Sequence, residues 1–75
     1  MIKTSTGSGT TDTYGEINDI GIAMTHPIIC VKMDGINMFG IPYSHSQKTN
    51  WSLQVYNIVS GKYSGQSVSW TIWYI

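Results

Sequence analysis

The sequence predicts an all-β fold, a small antiparallel β-sandwich or open barrel of five to six strands, on three grounds. From Tyr14 onward the chain is rich in β-branched and aromatic residues, and Gly, Asn or Asp interrupts it every few positions. No window keeps apolar residues at i, i+3, i+4 and i+7 for three turns, so no helix longer than one turn is expected. Every link between the apolar runs is too short for a parallel crossover, which needs about a dozen residues, so successive strands are antiparallel neighbours.

The last strand carries the clearest pattern. In Ser67-Val68-Ser69-Trp70-Thr71-Ile72-Trp73-Tyr74-Ile75 a period of two puts Val68, Trp70, Ile72 and Tyr74 on one face, a core face. The other face begins polar and ends in Trp73 and Ile75. Residues Trp73, Tyr74 and Ile75 are therefore expected to form an apolar seam at an oligomer interface.

Asp34-Gly35 lies between two apolar runs and predicts a two-residue type I′ hairpin with strands over 28–33 and 36–41. Its register sets Met33 opposite Ile36 and Val31 opposite Met38. Pro27 and Pro42 each lack a ladder donor and mark the limits of the hairpin. Extended pieces over about 14–18 and 20–25 precede it, with Ile20 and Ile22 on one face. After a polar loop at 44–50, Trp51, Leu53 and Val55 alternate with Ser52, Gln54 and Tyr56 as a half-buried strand over 51–58.

Residues 3–13 contain no apolar side chain and are mostly Gly, Ser and Thr, so residues 1–13 are expected to be a flexible lead to a single domain at 14–75. A 75-residue chain buries only roughly 60% of the surface its unfolded form exposes, which makes a lone core marginal. One cysteine, Cys30, leaves no internal disulfide, and no Cys/His spacing suggests zinc. Self-association is the remaining means of support. Only 11% of residues are charged, against about 25% in an ordinary domain, and the formal net charge is zero, so little repulsion holds copies apart.

Composition also excludes functions. There is no arginine and the lysines are scattered, so no basic stripe forms and nucleic-acid binding is not expected. No apolar run nears the roughly 18 residues of a membrane helix, and the start of the chain lacks a signal-peptide core. No nucleophile motif, phosphate loop or paired carboxylate spacing is present, so neither an enzyme nor a cofactor is expected. Cys30 sits in an apolar run and reads as a structural thiol. His26 and His45 read as loop residues.

The loop aromatics Tyr43 and Tyr63, with His45 and Asn50, are the candidate ligand-binding residues, because exposed rings stack on sugars while Asn, Gln and Ser groups bond their hydroxyls, and a loop histidine is open to receptor contact. Packing explains Trp51 and Trp70 without a ligand.

The order Thr25-His26-Pro27-Ile28-Ile29-Cys30-Val31-Lys32, then Gly40-Ile41-Pro42-Tyr43, then Trp51-Ser52-Leu53-Gln54-Val55-Tyr56 and the closing aromatic strand, resembles small β domains of tailed-bacteriophage virions, of the tail-tip or tail-fibre-end type. That resemblance implies a non-enzymatic structural or receptor-binding tail domain, made in the host cytoplasm and located in the virion. It also implies self-association, with a trimer among the expected forms, contact with other virion proteins, and contact with a host-surface glycan. A stand-alone carbohydrate-binding module is the alternative.

Overall fold

The computed structural model describes residues 1–75 and contains no helix. The strands are β1 (Lys3–Thr10), β2 (Glu16–Ile17), β3 (Ile28–Met33), β4 (Met38–Tyr43), β5 (Ser52–Asn57), β6 (Gly61–Lys62) and β7 (Ser67–Tyr74). They form two antiparallel sheets: a first in the order β1-β7-β3, and a second in the order β2-β5-β4 with β6 also on β5. The expected all-β, sandwich-like class holds.

β7 is the middle strand of the first sheet, paired with β1 from Lys3↔Tyr74 to Thr10↔Ser67 and with β3 from Ile28↔Tyr74 to Met33↔Trp70. Its alternation works as the sequence indicates. Val68, Trp70 and Ile72 are buried and the residues between them are not. They meet Leu53 and Val55 of β5, together with Ile17, Ile20, Ile22 and Met33. Fully burying side chains such as Leu53, Val55 and Ile72 contributes roughly 1.5–3 kcal/mol each.

The flexible lead expected at 1–13 is corrected: residues 3–10 are strand β1. Thr favours extended backbone, and the hydroxyl residues at 4, 6, 8 and 10 alternate with small residues at 5, 7 and 9, of which Gly7 and Gly9 lie against the indole of Trp70. Beyond β1 the chain is tied down as well. Thr11 is buried, its hydroxyl donates to the Tyr63 carbonyl and accepts from the Gln66 N–H at 2.9 Å. The Asp12 carboxylate accepts the N–H groups of Tyr14 at 2.8 Å and Glu16 at 3.0 Å.

The Asp34-Gly35 hairpin is also corrected. β3 pairs with β7 and β4 pairs with β5, so residues 34–37 carry the chain from one sheet to the other. Gly35 at φ 142° and Asn37 at φ 61° make a wider turn than the type I′ loop requires. β7 offers Trp70 and Ile72 across from Met33 and Val31, a more apolar partner than β4 would be. β3 carries a register shift between Ile28 and Cys30, which leaves Ile29 exposed and turns Cys30 to the outer face.

The expected 20–25 strand is instead an extended segment stitched to residues 49–51. The Ile20 N–H donates to the Trp51 carbonyl at 3.1 Å and the Trp51 N–H to the Ile22 carbonyl at 2.8 Å. An isolated bridge joins Ala23 to Asn50. The segment still buries Ile20 and Ile22 together.

Candidate functional site

Register defines the outer face of the first sheet. Thr4, Thr6, Ser8 and Thr10 of β1 lie directly beside Trp73, Thr71, Ser69 and Ser67 of β7. Cys30 and Lys32 of β3 continue the face beyond Trp73 and Thr71. The Thr11 N–H donates to the Gln66 carbonyl at 2.9 Å, which makes the odd residues of β1 the hydrogen-bonded partners of β7. The even residues are then the non-hydrogen-bonded pairs, whose side chains stand closest across an antiparallel ladder, about 4.5 Å between Cα atoms. The face is a row of paired hydroxyls ending in one indole.

One end of this row is concave. Ser8, Thr10, Ser67, Ser69 and Asp34, with the chain at Gly9 and Val68, line an open cleft of about 390 Å³. The Asp34 N–H donates to the Ser69 carbonyl at 3.0 Å, which fixes the carboxylate-bearing turn beside the hydroxyls. Hydroxyls donate and accept, and a carboxylate accepts from several donors. The cleft therefore suits a ligand that carries many hydroxyl groups. No basic side chain lines it.

The residues singled out in the sequence lie elsewhere and are not brought together. Tyr43 ends β4, opposite Ser52. Its hydroxyl oxygen is closed to solvent and lacks a well-formed hydrogen bond. Burial pushes this phenol up to about 12, and the Glu16 carboxylate adds to the shift. His45 accepts the Gln47 N–H at 3.4 Å within its own loop. The Asn50 amide donates to the Asp19 carboxylate at 3.0 Å. With the Gly21 N–H as the larger cause, that bond holds the Asp19 carboxyl below its ordinary value. Tyr63 is half-buried against the core, on the opposite edge of the second sheet from β4.

Among the seam residues, Trp73 points to the outer face while Tyr74 packs against the core and the His26 ring, 5.6 Å between centroids. Ile75 is 52% exposed, and its N–H donates to the Pro27 carbonyl at 3.1 Å. His26 reaches the Ile75 carbonyl oxygen through Nδ1 at 2.8 Å. No group of three or more His, Cys, Asp or Glu side chains is placed to hold a metal ion.

The cleft draws on β1, β7 and the 34–37 turn, three segments distant in sequence, and no local motif marks it. A signal for the β1 half was present in the alternation Thr4, Thr6, Ser8, Thr10. Comparison of the chain with family models, curated proteins and solved structures finds no match.

Proposed function

We propose that the chain is a non-enzymatic recognition domain, of the bacteriophage tail kind that its sequence resembles, and that its outer hydroxyl face holds a neutral glycan. The observation that carries this reading is the cleft itself, lined by the hydroxyl residues Ser8, Thr10, Ser67 and Ser69 together with Asp34. Asp34 accepts from neighbouring sugar hydroxyls, and the serine and threonine hydroxyls satisfy the others in either sense. Trp73 lies four residues beyond Ser69 along β7, about 13 Å away, and offers a ring face to a further sugar unit. Without a basic group in the cleft, neutral sugars are favoured over acidic ones.

A structural tail role is the second reading, favoured by the second sheet. On its outer side Phe39 stacks on Tyr56 at 5.0 Å, and Ile41, Ile58 and Val59 are also exposed. A glycan array separates the two. The recognition reading expects a defined neutral sugar that binds the intact chain and is lost in Asp34→Asn; a structural tail domain binds nothing on the array.

A further inference from the structure

We infer that the free edge of β1 is where two copies of this chain join, antiparallel, so that their first sheets become one continuous sheet. This interface is independent of the sugar reading and differs from the seam at Trp73 to Ile75. Because the odd residues of β1 bond to β7, the N–H and C=O groups of Thr4, Thr6, Ser8 and Thr10 point away from the molecule. All four residues are exposed. An edge of this length with unpaired backbone groups is a template for another strand.

The other edges carry obstacles that β1 lacks. On β4, the Ile58 N–H donates to the Asn37 carbonyl at 2.7 Å, and the register then turns the backbone groups of Met38, Gly40 and Pro42 outward. Pro42 thus stands where a donor would be needed, the usual way of blunting an edge. β3 has the register shift at Ile28/Cys30 and a charged residue, Lys32, next to its last position. β2 and β6 have two residues each. Between Thr4 and Thr10, β1 has no proline, no charge and no bulge.

Self-complementarity selects a second copy as the occupant. A two-fold axis at Gly7 sets Thr4 opposite Thr10 and Thr6 opposite Ser8 of the second copy, so outward groups meet outward groups and each such pair exchanges both backbone bonds. Lys3 precedes this stretch and Asp12 follows it. Antiparallel pairing sets Lys3 of one copy opposite the uncharged Thr11 of the other, whereas parallel in-register pairing would set Lys3 against Lys3. One strand per partner is well below the roughly 20–30 residues a side of a standard interface, so the dimer is weak and appears towards millimolar concentration.

The test is sedimentation equilibrium of the full chain from micromolar to millimolar concentration, with amide hydrogen exchange at both extremes. The expected result is a monomer-to-dimer rise in mass, with the amides of Thr4, Thr6, Ser8 and Thr10 slowing as the dimer fills. Thr6→Pro removes an outward N–H that the monomer does not use and should leave a folded monomer at every concentration. Thr6→Lys, which keeps the backbone intact and charges the edge, should do the same. A monomer at millimolar concentration, a trimer, a dimer whose four amides still exchange freely, or a folded dimer of either variant would overturn the inference.

Discussion

The indole of Trp70 fills the space that a side chain at position 7 would need. A Cβ built on Gly7 would lie 2.7 Å from Cζ2 of Trp70 and 2.8 Å from its Nε1. The glycine admits a large aromatic to the core beside a thin, polar strand. Gly9, two residues on, is less constrained, since a Cβ there would meet Ile17 Cδ1 at 3.5 Å, an ordinary contact.

The two glycines therefore respond differently to the same change. Gly7→Ala forces the buried indole to shift and should cost about 1–3 kcal/mol. Gly9→Ala should leave stability unchanged or raise it by up to about 1 kcal/mol, because the unfolded chain loses freedom. Midpoints in urea decide it. Equal effects would mean that Trp70 does not rest on Gly7.

Tyr43 sets an alkaline limit. Its phenol is raised from 10.0 to about 12 in the folded chain, chiefly by burial. The folded state therefore keeps the proton that the unfolded state releases first. Stability is complete below pH 10 and declines as pH rises towards 12. Tyr43→Phe removes a buried hydroxyl that lacks a well-formed hydrogen bond, so it should leave neutral-pH stability unchanged or higher and flatten the alkaline decline. Thermal melts of both proteins across this range are the measurement.

Gly35 begins the crossing between sheets with φ 142°, a backbone that branched side chains avoid, and a Cβ there would approach Met38 Cγ at 3.0 Å. Gly35→Val should destabilise the fold by more than about 1 kcal/mol. An unchanged denaturation midpoint would show that residues 34–37 do not hold this conformation.

At the end of β7, neighbouring residues have opposite duties. Deleting Trp73 to Ile75 removes Tyr74 from the core and the bond from Ile75 to Pro27, so a poorly folded chain is expected. Trp73→Thr changes only the outer face and should leave both stability and solution mass close to those of the intact chain. A fall in mass in Trp73→Thr would restore the apolar seam as the interface.

The strands that bury strongly apolar residues on one face were legible because alternation alone defines their inner side. Val68, Trp70 and Ile72 of β7, and Leu53 and Val55 of β5, needed no partner to be assigned. β1 escaped because its inward residues Ser5, Gly7 and Gly9 are small and only half-buried, set across the ladder from Ile72, Trp70 and Val68. Composition there suggests a linker, and only the partner strand makes it structure. Asp34-Gly35 misled for the complementary reason: a turn signal specifies a reversal of the chain but not whether the two arms share a sheet. The cleft was illegible because Ser8, Ser69 and Asp34 meet only once both errors are corrected.

The pairing of β1 with β7 has a kinetic consequence. Strands β2, β4, β5 and β6 find their partners within one central stretch, whereas β1 can close its ladder only on the strand farthest from it in sequence. Closing so long a loop is slow, and the second sheet is expected to organise first. During synthesis β1 emerges before β7 and stays unpaired on both edges until β7 follows. Its serines, threonines and glycines, which make it unremarkable as a core strand, offer no apolar side chains for collapse or aggregation through that interval.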